Sequence, residues 1–276
     1  MMILRLTRIL TSLLVCLCLC APFAGYADSY TDAFFDDAVF LGDSLTTQLG
    51  AYVREQRSRK GGLLGDAKFL SATSYSLATA SKEKPYGDVT LKVRGESVTP
   101  QEGLKRLGAG KVFIMLGLND HAGYNVASDV NHYAMLINHI RAAIPGVMIV
   151  VETMTPIQQH MQSSTLNQAN LDLFNRELEQ LCREMGVYFI DIASPLKNSH
   201  GYLNPAYAHA VDDNVHLNDQ GLKLWVQALQ DFAEDMVPVL EAEQSLRDSE
   251  NERLRQLIQP LDEEEVHYPL ERLKTR

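Results

Sequence analysis

The chain has 276 residues, 46% of them apolar and 22% charged, with a formal charge of −10. That acidic balance, with no basic stripe, argues against nucleic acid and against anionic lipid bound by charge alone. Three of the four cysteines fall in the first 20 residues and only Cys182 remains beyond them, so a small disulfide-stapled fold is excluded.

Residues 1–27 read as an export signal. Arg5 and Arg8 make a basic start, Ile9 to Cys20 is an apolar core, and Gly25-Tyr26-Ala27 is a small-x-small cleavage site. The apolar run is shorter than the ~20 residues of a membrane-spanning helix, and an uncleaved anchor is the alternative. Leu19 before Cys20 is bulky where lipid-modified sites carry a small residue. Cleavage would leave about 250 residues starting at Asp28, enough for one domain with a sizeable core, and a charge near −12 because two arginines and no acid are removed.

Asp28 to Asp37 is an acidic, aromatic lead-in. The apolar run Ala38–Leu41 predicts a buried strand that stops at Gly42. Asp43-Ser44 follows, and Leu45, Leu49, Tyr52 and Val53 then recur at helical spacing, predicting a helix from Thr46 to about Gln56. Lys68–Ala72 is a second strand, and Val89–Val93 with Glu96–Val98 a small hairpin. Thr99-Pro100-Gln101-Glu102 has the form of a capping box with proline at the first helical position, so a short helix runs to Gly108. Lys111–Leu116 is a buried strand that enters Gly117-Leu118-Asn119-Asp120. A helix from about Val130 to Ala143, a strand over Val147–Val151, a helix over Leu166–Met185 closed by Gly186, and a strand over Val187–Ile190 follow. Asn218 then caps a helix bearing Leu222, Trp225, Val226, Leu229 and Phe232. Five strands alternating with helices predict a parallel α/β sheet covered on both faces. Residues 28–240 form the expected domain. Helix-period apolar residues thin out after Val239, so residues 241–276 are expected to be a surface helix and a loose tail outside it.

In such a sheet, ligands bind at the carboxyl ends of the strands. Ser44 follows the first strand, Asn119 the third, and Asp213 with His216 lie after the last. A serine hydroxyl needs a base to take its proton. Asp213 and His216, three residues apart, suit that need: the acid can hold Nδ1–H while Nε2 faces the serine. Structural alternatives stand beside each of these. Ser44 could be a helix N-cap, Asn119 a turn residue and His216 a surface-loop histidine. Asp212 could replace Asp213. Asp129 and His132 repeat the Asp-x-x-His spacing, but they open a helix in mid-chain rather than following the last strand. His132 and His139 lie two turns apart and make poor metal partners, and the remaining histidines show no ligand pattern, so no metal and no cofactor are expected.

With these blocks in this order, the sequence resembles the SGNH (GDSL) hydrolase family. The likeness runs from about Val39 to Leu229 and is carried by Gly42-Asp43-Ser44-Leu45, Gly117-Leu118-Asn119-Asp120 and Asp213-Asn214-Val215-His216. It implies a flavodoxin-like three-layer α/β/α fold and ester hydrolysis through an acyl-serine. By that likeness Ser44 is the nucleophile, His216 the base, Asp213 its orienter, and the Ser44 N–H and Asn119 amide bind the oxyanion. The family usually has a glycine in its second block, whose N–H completes the oxyanion hole. Here Ser74, in Ala72-Thr73-Ser74-Tyr75-Ser76, takes that place.

The expected function is an exported or envelope-associated esterase that removes a short acyl group, acetyl first, from a carbohydrate. Its partner is a small-molecule or glycan ester, with no nucleic acid and no membrane span after signal cleavage. Lipid esters, thioesters or acyl transfer to a sugar hydroxyl are enzymatic alternatives. A glycan-binding protein on the same scaffold is the non-catalytic one.

Overall fold

The computed structural model describes residues 31–120, 125–209 and 215–257; residues 1–27, expected to be an export signal, Asp212, Asp213 and residues 258–276 lie outside them. The elements are β1 (Ala38–Gly42), α1 (Ser44–Lys60), β2 (Lys68–Ser71), α2 (Leu77–Ala80), β3 (Leu91–Val93), β4 (Glu96–Val98), α3 (Pro100–Leu107), β5 (Lys111–Met115), α4 (Val126–Ala143), β6 (Met148–Glu152), α5 (Gln168–Met185), β7 (Tyr188–Ile190) and α6 (Asp219–Leu257). Five strands make one parallel sheet in the order β2-β1-β5-β6-β7, and β3 and β4 form a separate antiparallel hairpin. The strand runs are apolar on both sides because helices cover both faces. Phe40, Phe113 and Phe69 come into register across β1, β5 and β2 and stack, with ring centroids 4.8 and 5.1 Å apart. On that face Gly50 of α1 lies against Phe69, and Phe232 of α6 meets Phe113 edge-on at 6.2 Å. The opposite face holds α3, whose Gly103 approaches Leu70, together with α4 and α5, where Tyr133 and Phe174 pack at 6.1 Å. The result is a three-layer α/β/α fold.

The chain steps from β1 outward to β2, then crosses back past β1 to β5. Loops leaving β1 and β5 therefore diverge, and a crevice opens at their carboxyl ends. Those loops carry Ser44 and Asn119.

Helix starts follow their caps. Asn125 accepts from the Ser128 N–H at 3.2 Å and begins α4 four residues before the expected Val130. Thr99 accepts from the Glu102 N–H at 3.3 Å, as a capping box requires, but the Glu102 carboxylate turns to Arg106 instead of reaching back. Asn218 accepts from the Gln220 and Gly221 N–H groups at 2.9 and 3.1 Å, the cap expected for α6.

Compact packing divides the described chain between Ala233 and Glu234. In the first unit, Leu222, Trp225, Val226, Leu229 and Ala233 are buried. In the second, Val239, Leu246 and Leu254 are exposed. The fading apolar pattern after Val239 does not end the helix, which is continuous to Leu257 and contains Pro238. Helical side chains spaced i, i+4 bond along it, Gln244 to Asp248 at 2.9 Å and Arg247 to Glu243 at 3.5 Å. Among the described residues, no helix is long and apolar enough to cross a membrane.

Candidate active site

The cap of α1 is Asp43, not Ser44. Asp43 Oδ1 accepts from the Leu45 N–H at 3.0 Å, which leaves the Ser44 hydroxyl, at the first helical position, without a capping duty. Gly42 is what allows this turn: a Cβ there would lie 1.9 Å from Thr46 Oγ1 and 2.8 Å from the Met115 carbonyl oxygen. The strand-to-helix corner is thus closed tightly against β5, with Ser44 at the mouth of the crevice.

Ser44 Oγ lies 3.0 Å from His216 Nε2, joining residues 172 positions apart. With Nδ1 protonated, Nε2 can accept the hydroxyl proton and ready the oxygen for attack. Of the two Asp-x-x-His pairs, it is the later one whose histidine meets the serine. Asp129, in the earlier pair, is buried in the first turn of α4, where burial and the nearby Asp120 push its carboxyl up to about 6.

Asn119 is held from two sides. Its side-chain Nδ2 donates to Asp43 Oδ2 at 3.0 Å and to the Tyr75 carbonyl at 3.2 Å. One carboxylate therefore caps α1 and fixes the amide that follows β5. Asp43 is buried, and that burial raises its carboxyl to about 6, against the lowering effects of the Leu45 N–H and of His216 nearby. Asp120 reaches the other way, accepting from the Leu77 and Ala78 N–H groups at 2.6 and 2.9 Å. The Leu116 N–H donates to the buried Tyr133 hydroxyl at 2.9 Å, which anchors the start of the Asn119 loop to α4. Gly117 follows with a φ of +127°, and a Cβ there would meet the Phe174 ring at 2.7 Å.

Ser74 precedes Tyr75 and has a φ of +61°, in the left-handed region. That conformation is one a glycine adopts at no steric cost. Three polar groups are therefore drawn together by mutual bonds: Asn119, Asp43 and the Tyr75 carbonyl. Asp43 and Asp120 were visible in the motifs, but their structural work was not assigned from sequence. A cap-type residue immediately before a helical run was the signal for Asp43. Among the described residues, no group of three or more His, Cys, Asp or Glu side chains could hold a metal ion.

A parallel sheet with a serine–histidine pair at its switch crevice defines a serine-hydrolase type of site. The sequence profile of the GDSL-like lipase/acylhydrolase family matches residues 40–224, and the chain belongs to that family. It is an ester-hydrolysing enzyme. Solved structures similar to it in fold include a GDSL-like lipase from Bacteroides thetaiotaomicron (15% identity, covering 73% of this chain and 90% of that one, TM-score 0.55). A carbohydrate esterase family 3 protein from Talaromyces cellulolyticus is similar at 18% identity, 73% and 98% coverage and TM-score 0.52. An acetyl xylan esterase from Geobacillus stearothermophilus is similar at 18% identity, 71% and 93% coverage and TM-score 0.50. No curated relative matches the chain by sequence.

Proposed function

We propose that the chain is an exported serine esterase that removes short acyl groups, acetyl first, from a carbohydrate or another envelope component. The observation that carries the reading is the 3.0 Å contact between Ser44 Oγ and His216 Nε2 at the crevice. Ser44 attacks the ester carbonyl while His216 Nε2 takes its proton. Asp213 holds His216 Nδ1–H and stabilises the imidazolium. His216 then protonates the departing alcohol, and water hydrolyses the acyl-serine by the same route. The developing oxyanion is met by the Ser44 N–H at the α1 N-terminus, the Ser74 N–H and the Asn119 amide. Asn119 shares with it the proton now given to the Tyr75 carbonyl, the longer of its two bonds.

The basic-apolar-small pattern of residues 1–27 supports export. The acidic charge fits a neutral glycan better than an anionic lipid surface. The carbohydrate esterase and acetyl xylan esterase among the fold neighbours agree with an acetylated carbohydrate. The test is incubation of the protein with a fluorophosphonate and with p-nitrophenyl esters of increasing chain length. Labelling at Ser44, with turnover highest on acetate and falling with chain length, is the expected result. Ser44→Ala, His216→Ala and Asp213→Asn should each lower turnover, the last least. Wild-type turnover by Ser44→Ala would sink the assignment, and a preference for long chains would move the substrate to lipid.

A further inference from the structure

Four residues after Ser44, on the same face of α1, Gln48 makes two hydrogen bonds to a single residue. Its Nε2 donates to the Leu217 carbonyl at 2.6 Å, and its Oε1 accepts from the Leu217 N–H at 3.1 Å. Leu217 is the neighbour of His216 and is fully buried.

The segment around it is a one-residue strand. Ala208 and Leu217 form an antiparallel bridge in which the His209 N–H donates to the His216 carbonyl and the Asn218 N–H to the Tyr207 carbonyl, both at 2.9 Å. In that pairing the polar groups of Leu217 itself face away from Ala208. They face Gln48, whose planar carboxamide supplies one donor and one acceptor where a further strand would have stood. Four successive backbone groups, from the His216 carbonyl to the Asn218 N–H, are thereby satisfied, two by the 207–209 segment and two by one side chain.

We propose that Gln48 is the positioning residue for the base, and that it fixes the separation of His216 from Ser44. This rests on the roles assigned above to Ser44 and His216. Ser44 and Gln48 are rigidly spaced by one turn of helix, so a clamp from Gln48 onto Leu217 sets His216 against Ser44 through a short, stiff path. An apolar side chain of similar length would leave both polar groups of Leu217 unpaired inside the protein, and the strand segment would shift to find partners. Proton transfer is sensitive to such a shift, since about 1 Å of misplacement can cost about a hundredfold in rate.

The experiment compares Gln48→Met and Gln48→Glu with the wild-type protein on p-nitrophenyl acetate, with reactive sites counted by fluorophosphonate labelling carried to completion. For Gln48→Met, kcat per labelled site should fall about 10- to 100-fold with KM within about twofold, because the defect lies in proton transfer and not in binding. Gln48→Glu keeps an oxygen opposite the Leu217 N–H and loses the donor to the Leu217 carbonyl, so it should fall between wild type and Gln48→Met. A residue that only supported the fold would lower the number of reactive sites and leave kcat per site intact. That result, or a change confined to KM, would overturn the proposal. If Gln48→Met does not fold, wild-type kcat per site in Gln48→Glu overturns it instead. Ser44→Ala measured alongside separates the two assignments. If Ser44→Ala still turns over, the nucleophile is wrong and the clamp's role falls with it. If Ser44→Ala is inactive and Gln48→Met is wild-type, the clamp alone is wrong.

Discussion

Glu152 ends β6 with its side chain 1% exposed, and its Oε2 accepts from the Trp225 indole N–H at 2.6 Å. Burial pushes its carboxyl from 4.5 up to about 8, and the Trp225 N–H offsets only part of that. The sign of the consequence is fixed. Below about pH 4.5 both the folded and unfolded chains carry the proton. Between about pH 4.5 and 8 the unfolded chain releases it while the fold retains it, so stability falls as pH rises. Each pH unit in that window removes up to about 1.36 kcal/mol, which gives roughly 3 kcal/mol lost by pH 7. Glu152→Gln removes the titration while its amide oxygen can still accept from Trp225. The variant should match wild type near pH 4.5 and exceed it by roughly 3 kcal/mol at pH 7. Asp43 and Asp129, both raised to about 6, slope the same way, so the variant flattens the pH profile without levelling it. Urea unfolding at several values from about pH 4.5 to 7.5 measures this directly. Trp225 is the chain's one tryptophan and is fully buried, so its fluorescence reports the transition at the site of the change. A wild-type-to-variant difference that stays constant across that range would refute the reasoning.

Asn119→Ala should cost about 2.7–4 kcal/mol of barrier, roughly hundred- to thousandfold in kcat with little change in KM; a change in KM alone would remove Asn119 from the oxyanion hole. Ser74→Gly should keep activity and raise stability by about 0.5–1 kcal/mol in chemical denaturation, since the left-handed backbone strains a serine and the greater freedom of unfolded glycine takes back part of the gain. Ser74→Pro, which removes the N–H and cannot adopt positive φ, should lose turnover in the same ester assay. Truncation after Leu240 should leave kcat and Tm near wild type, because residues 241–255 are mostly exposed; a collapse of Tm would show that the removed part carries stability.

The alternation of short apolar runs with 3.6-period segments was enough to read five strands, their helices and a parallel sheet, because burial on both faces makes each strand a local signal. The blocks around Ser44, Asn119 and His216 were legible for the same reason, as each lies at or beyond the end of such a run. Lateral order was not. Placing β1 between β2 and β5, and so opening the crevice beside Ser44, is a choice among sheet arrangements that local pattern leaves equal. Whether Ser44 serves only as the cap of α1 was also undecided, since serine is a cap-forming residue; Asp43 takes that place by accepting from the Leu45 N–H, and the Ser44 hydroxyl meets His216 instead. The left-handed turn at Ser74 has no mark in a serine. That the helix starting at Asp219 is one continuous element to Leu257 was not legible either, since its apolar period fades after Val239 and only side-chain pairs such as Gln244 to Asp248 mark the rest. The contacts that assemble the candidate site, Ser44 to His216, Gln48 to Leu217 and Asn119 to Asp43, join residues from 76 to 172 positions apart. Periodicity reaches only a few residues along the chain, so these pairings exist only once the sheet has brought its strand ends together.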